Sequence, residues 1–103
     1  MKIVKNVGHA GVGDKDIDCA FIRLNGEYPG DNKFAMNTIC KELVFCIEGS
    51  GTLEMKFGNK YRFEKFDAIV LEPGEIYRFS ESHCGLVVVC DPAWDPNQQK
   101  IVE

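Results

Sequence analysis

The chain has 103 residues, of which 45% are hydrophobic and 27% charged, and its formal net charge is −4. This length suits one globular domain that can bury a core without disulfides. The negative charge argues against nucleic acid, whose phosphates attract basic surfaces, and no apolar run approaches the roughly 20 residues of a membrane helix. We therefore expect neither a nucleic-acid nor a membrane partner.

Short alternating or apolar runs, separated by Gly, Pro, Asn and Asp, follow one another along the chain. They predict eight strands, over residues 17–24, 34–40, 42–48, 52–57, 60–63, 68–71, 76–80 and 86–90. Gly49-Ser50-Gly51 predicts a turn, and Gly58-Asn59 predicts a hairpin. Because no window shows a sustained helical period, the pattern indicates an all-β sandwich or barrel.

The strand pattern predicts one domain over residues 1–103. Its core is expected at about 17–91, with an N-terminal extension at 1–16 and a C-terminal arm at 92–103. Trp94 lies on the Pro-rich arm and either docks on its own barrel or anchors a second subunit.

Cysteine usage points to a reducing compartment. The chain has five cysteines, an odd number, with no Cys-x-x-Cys pair and no apolar N-terminal segment of the signal-peptide kind. We therefore expect free thiols and a cytoplasmic location. Cys84 lies in a polar stretch and is expected to be the most exposed of the five.

One motif covers the middle of the chain. The motif reads Gly30-x5-Met36-x-Thr38-x3-Glu42-x6-Gly49. This spacing resembles the first cupin motif, Gly-x5-His-x-His-x3 or x4-Glu-x6-Gly. The segment 66–77, with its Pro-Gly pair, resembles the second cupin motif. The resemblance spans about residues 17–91 and implies a double-stranded β-helix, the jelly-roll barrel of the cupins.

The same resemblance implies a lost metal site. Cupins usually bind one divalent metal through two histidines and a glutamate of the first motif and a histidine of the second. Of these four, this chain keeps only Glu42. The histidine positions hold Met36 and Thr38, or Ala35 and Asn37 if the longer spacing applies, and Tyr77.

A carboxylate with a thioether, an alcohol and a phenol is a poor donor set for first-row metals. We therefore expect no metal and no other cofactor. His9 and His83 match no ligand position, and a substitute set of Glu42, Cys40 and Cys46 remains the alternative.

These observations favour a barrel that binds a small organic ligand in its interior. The expected ligand-binding residues are Met36, Thr38, Glu42, Tyr77 and Phe79.

The first alternative is a metal-independent isomerase, epimerase or cyclase acting on a sugar or keto compound, with Glu42 as base and Tyr77 as acid. A second is an interaction protein whose barrel is filled by side chains. Because small cupins commonly pair, we also expect a homodimer.

Overall fold

Strands supply nearly all the regular structure, as the alternating sequence predicts. The computed structural model describes all 103 residues. The strands are β1 (Asp18–Tyr28), β2 (Phe34–Asn37), β3 (Lys41–Met55), β4 (Lys60–Glu64), β5 (Ala68–Leu71), β6 (Tyr77–Asp91) and β7 (Gln99–Val102), and one short 3-10 helix covers Pro96–Gln98. No helix is long or apolar enough to span a membrane.

Two long strands, β3 and β6, form the centre of the fold and pair with each other along their whole length. The first half of β3 also pairs with β5, and the second half with β4. β6 also pairs with β1, from Phe79 to Cys90, and its first residue pairs with β2. All of these pairings are antiparallel, and register shifts at Cys46/Glu48 and Ser50/Thr52 bend the central pair. The bent strands enclose the interior of a jelly-roll barrel.

The predicted turn at Gly49-Ser50-Gly51 is wrong, because β3 continues through these residues. Gly49 has a φ of 78°, and a Cβ atom there would lie 2.1 Å from the carbonyl oxygen of His83 on β6. Glycine therefore lets the two backbones approach, and β3 bends without leaving the sheet.

The prediction that Cys84 is exposed is also wrong. The strands expected at 76–80 and 86–90 are one strand, β6, which runs on through residues 81–85. Alternation along this strand turns Ser82 and Cys84 inward, and Cys84 is only 2% exposed.

The packed part of the core lies beside β4. The Phe63 and Phe79 rings meet edge to face with 5.7 Å between their centroids, and the Tyr77 and Phe79 rings do so at 5.8 Å. Leu53 is buried in the same cluster. Aromatic rings fill this end of the barrel, while the end beside β1 keeps a cavity.

The C-terminal arm predicted at 92–103 returns to the barrel. Its last strand, β7, pairs with β2, placing Asn37 opposite Gln99. The segment 1–16 contains no regular element, yet it is attached to β1: the Phe21 amide donates to the Gly8 carbonyl at 2.7 Å, and the Val12 amide donates to the Asp18 carboxylate at 2.7 Å.

Candidate functional site

The barrel interior contains a cavity of about 540 Å³ lined by 20 residues, 13 of them hydrophobic. A volume of this size is typical of small-molecule sites, which combine apolar walls with a few polar groups. The apolar wall includes Ile22, Leu24, Val44, Phe79, Leu86 and Val88. The polar groups on the wall include Asp18, Tyr28, Asn37, Glu42, Tyr77 and Gln99.

Glu42 faces inward from β3, opposite Cys90 on β6. It is 9% exposed, and its Oε2 accepts hydrogen bonds from Asn37 Nδ2 at 3.1 Å and from the Cys90 thiol at 3.5 Å. Burial raises the pKa of the Glu42 carboxyl, and the two hydrogen bonds oppose that shift. Glu42 therefore keeps its proton to higher pH than an exposed glutamate does.

Tyr77 and Phe79 also line the cavity, from the first half of β6. Burial raises the pKa of the Tyr77 hydroxyl, and the nearby Glu42 charge raises it further. The Tyr77 hydroxyl forms no hydrogen bond within the chain. Because every fully buried side-chain oxygen has a partner, the Tyr77 oxygen is not fully buried and faces the cavity. It is suited to donate a hydrogen bond rather than to ionise.

Met36 and Thr38 do not line the cavity, so the expectation that they face it is wrong. In β2 the buried positions are Ala35 and Asn37, which corresponds to the longer spacing of the first motif. Thr38 is exposed, and its hydroxyl donates to the Gln98 carbonyl at 3.1 Å. A shift of one residue in a strand exchanges its two faces, and the motif spacing left that shift open.

Asn37 takes the place expected for Thr38 in the interior. Its Nδ2 donates to Glu42, and its Oδ1 accepts a hydrogen bond from Trp94 Nε1 at 3.1 Å. Trp94 thus docks on its own barrel, where it lines the cavity and stays 38% exposed. Of the two interpretations of this tryptophan, the structure supports intramolecular docking.

Gln98 positions the segment that leads into Glu42. Its buried side-chain oxygen accepts hydrogen bonds from the amides of Ile39 at 3.1 Å and Cys40 at 2.8 Å. Nothing in the sequence motif pointed to this residue, because it lies 58 positions after Cys40.

The segment 1–16 contributes part of the cavity wall through His9, Ala10 and Gly11. Sequence reasoning set His9 aside because it precedes the barrel. The Asp18 carboxylate holds this segment by accepting a hydrogen bond from the Val12 amide. The imidazole of His9, an exposed residue, thus borders a largely apolar cavity.

The four positions that carry metal ligands in cupins hold Ala35, Asn37, Glu42 and Tyr77 here. Ala35 has no donor atom, and both polar ends of the Asn37 amide are already bonded. This set does not fit the imidazole-bound metal of the cupins. A different group, Cys40, Glu42 and Cys90, places one ligand atom of each residue within 4.8 Å of the others. Cys46, expected in such a group, instead directs its thiol to the carbonyl of Glu48 at 3.2 Å.

No protein-family model matches the sequence, and no curated protein matches it. Solved structures do match the fold. Streptomyces Pac13, a nucleoside dehydratase of which a variant was solved with uridine, aligns with a TM-score of 0.77 at 12% identity over 87% of this chain and 71% of its own. A cupin-2 domain protein from Shewanella frigidimarina aligns with a TM-score of 0.65 at 12% identity over 80% of this chain and 76% of its own.

Ectoine synthase from P. lautus aligns with a TM-score of 0.62 at 20% identity over 84% of this chain and 64% of its own. At these identities the likeness concerns the fold alone. The strand order, the bent central pair and these neighbours agree with the resemblance seen in the sequence. The chain is a small cupin-type barrel.

Proposed function

We propose that this protein binds one small organic molecule in its barrel cavity. The observation that carries the proposal is the cavity of about 540 Å³ with Glu42 on its wall. Aliphatic side chains would supply the apolar contact, and Glu42, Tyr77 and Asn37 would orient the ligand's polar groups. A barrel filled by its own side chains, the interaction-protein alternative, would leave no such space.

The neighbours guide the choice of ligand class. One protein of the same fold was solved with uridine, and another is an ectoine synthase. Small, polar, non-polymeric compounds are therefore the first class to screen. Phe79 and Trp94 add ring surfaces on which a sugar or a heterocycle can pack.

A thermal-shift screen against nucleosides, sugars, sugar phosphates and keto acids tests this proposal. A ligand at 100 times its dissociation constant stabilises the fold by about 2.7 kcal/mol, which visibly raises the melting temperature. For each compound that binds, calorimetry should give one site per chain and an affinity at least about tenfold weaker in Glu42→Gln. Glu72→Gln, which changes an exposed acid outside the cavity, is the matched control.

Binding that is equally strong in Glu42→Gln and in Val88→Phe, which fills the cavity, would contradict the proposal. The same conclusion would follow if no compound of these classes stabilised the chain.

We propose a second candidate function, metal-independent proton transfer at a carbon next to a carbonyl. The raised pKa of Glu42 favours it. A base works best when its pKa approaches the working pH, and burial moves Glu42 in that direction. Glu42 would take a proton from the carbon, and the electron pair would move onto the carbonyl oxygen. Tyr77 would hold that oxygen with its O–H, and Glu42 would return the proton to a different carbon or face.

Deuterium exchange into keto sugars and keto acids, followed by NMR, tests the enzyme alternative. Glu42→Gln should abolish exchange, and Tyr77→Phe should slow it about 100-fold, as removal of one oxyanion donor does. Exchange that survives Glu42→Gln would exclude this role for the carboxylate.

We propose that two copies pair through the outer face of the sheet formed by β1, β6, β3 and β5. This outer face consists of Phe21, Leu43, Phe45, Val70, Val87 and Val89, which adjoin one another through the strand register. The charged residues at its ends are already paired within the chain, as Arg23 with Glu48 and Lys41 with Glu72. A two-fold interface places a face against itself, so this internal pairing avoids like-charge repulsion between copies.

We also propose a cytoplasmic location. All five cysteines are free, which suits a reducing compartment.

A further inference from the structure

Beside Glu42 lie two buried thiols, Cys40 and Cys90, that the organic-ligand proposal does not use. Cys40, Glu42 and Cys90 are 1%, 9% and 5% exposed, and one ligand atom of each lies within 4.8 Å of the other two. The strand register produces this group: Glu42 and Cys90 are directly opposite each other, and Cys40 immediately precedes β3.

The spacing of the donor atoms fits a tetrahedral ion. Tetrahedral zinc, with Zn–S of about 2.3 Å and Zn–O of about 2.1 Å, holds a sulfur and an oxygen ligand roughly 3.6 Å apart. The Cys90 sulfur lies 3.5 Å from Glu42 Oε2. Little rearrangement would be needed for these two atoms to share an ion.

Three features hold the donors in place before any ion binds. The Gln98 side chain fixes the Cys40 amide at 2.8 Å, and Asn37 fixes the Glu42 carboxylate at 3.1 Å. The Cys90 thiol is itself bonded to Glu42. Supporting hydrogen bonds of this kind orient metal ligands in known sites.

We propose that Cys40, Glu42 and Cys90 form a zinc site at the cavity wall. Two thiolates select a soft or borderline ion over magnesium, calcium or manganese. On binding, each thiol releases its proton to solvent, and the two thiolates with the ionised carboxylate offset the divalent charge and leave one net negative charge on the site.

The site would keep one coordination position open. Glu42 and Cys90 line the cavity, whereas Cys40 is buried and does not. Three protein ligands with a fourth position toward a cavity are the arrangement of zinc sites that bind water or a substrate. This donor set uses two cysteines that occupy none of the cupin ligand positions, and it goes beyond organic-ligand binding without depending on it.

The test uses untagged, full-length protein kept reduced and freed of metal. Zinc should bind at one ion per chain, with a dissociation constant tighter than about 1 µM. X-ray absorption of the zinc-loaded wild type should show two sulfur neighbours at about 2.3 Å and oxygen neighbours at about 2.0–2.2 Å. Cobalt in place of zinc should give thiolate-to-cobalt charge-transfer absorption.

Cys40→Ser and Cys90→Ser should each weaken zinc binding at least about tenfold and reduce the number of sulfur neighbours. Cys46→Ser and Cys84→Ser, which change buried thiols of the same barrel outside this group, are the controls and should bind zinc as the wild type does. The spectra of the wild type remain decisive if a serine variant fails to fold.

Zinc with only oxygen or nitrogen neighbours, or no stoichiometric binding, would overturn the proposal. Unchanged affinity in folded Cys90→Ser would do so as well. Ligand screening on the metal-free protein is a separate measurement, so failure of the zinc site and failure of the organic-ligand proposal are distinguishable.

Discussion

The two faces of the sheet formed by β1, β6, β3 and β5 differ in chemistry. The inner face places the Glu42 carboxyl and the Cys90 thiol on the wall of a largely apolar cavity. The outer face exposes Phe21, Leu43 and Val70, at 36%, 39% and 54%. Alternation along each strand separates the two sets, because neighbouring residues point to opposite sides.

Both faces depart from the usual arrangement, in which polar groups face water and apolar groups face the core: a largely apolar interior includes a few buried polar groups, and the outer face exposes apolar side chains. Buried polar groups cost free energy unless they are bonded, and a continuous exposed apolar face favours association. A chain that keeps both features has an inner face suited to a ligand and an outer face suited to a partner. At the other end of the barrel, the edge-to-face packing of Phe63 and Phe79 buries apolar surface without polar groups.

The largest expected effect comes from a substitution at Gly49, where β3 bends and approaches β6 closely. Gly49→Ala places a Cβ 2.1 Å from the His83 carbonyl oxygen at a φ of 78°, so the β3–β6 pair must separate. We expect a loss of at least about 3 kcal/mol in the free energy of unfolding, measured in urea.

Gly74→Ala is the control for this prediction. Gly74 has a φ of 88° but no atom within 4 Å of the added carbon, so only backbone strain of about 1–2 kcal/mol is expected. Equal losses in the two variants would show that the close approach at Gly49 has no special importance.

A charge on the outer face should break pairing without unfolding the chain. Leu43→Glu should raise the dimer dissociation constant about 30-fold or more, equivalent to about 2 kcal/mol, measured by sedimentation. Phe57→Glu changes a residue that is 84% exposed in the β3–β4 turn, away from this face, and should leave the dissociation constant unchanged. A wild type that stays monomeric at high concentration would refute the dimer.

Two buried glutamates should respond to pH in opposite directions. Burial raises the pKa of Glu42 above its ordinary 4.5, so the folded chain keeps this proton where the unfolded chain has lost it. The contribution of Glu42 to the free energy of unfolding therefore becomes less favourable as the pH rises from 4.5 through the pKa of Glu42 in the folded chain. Hydrogen bonds from Arg78 lower the pKa of Glu54 to about 2, so its stabilisation is present above pH 4.5 and is lost as pH falls toward about 2.

Denaturant unfolding between pH 3 and pH 8 measures these contributions. Glu42→Gln should gain stability relative to wild type as pH rises. Glu54→Gln should lose about 2 kcal/mol at neutral pH and less in acid, since it gives up bonds to a charged group. Parallel pH profiles for the two variants would contradict the assigned environments.

The smallest effect should come from the tryptophan at the cavity. Trp94→Phe keeps a ring but removes the hydrogen bond to Asn37, so we expect a loss of about 1 kcal/mol in thermal unfolding. Trp94→Ala should cost more, because ring contact is lost as well. No change in either variant would mean that this docking contributes nothing to stability.

Much of the fold followed from local patterns. Alternation predicted the strands, and the spacing from Gly30 through Glu42 to Gly49 indicated the barrel and an inward Glu42. The pattern failed where one residue of register decided the face, at Met36 and Thr38 against Ala35 and Asn37. It failed again at Gly49, where a glycine that looks like a turn instead permits close strand packing.

The candidate site depended more heavily on distant parts of the chain. Cys90 and Gln98 reach Glu42 and Cys40 across 48 and 58 residues, and His9 enters from a segment outside the predicted core. By itself the sequence determined most of the strands, the barrel, the inward Glu42 and the absence of histidine from the motif positions, because these depend on residue type and local period. Only the tertiary structure decided which side chains surround that acid, because strand pairing and the returning C-terminal segment set those contacts.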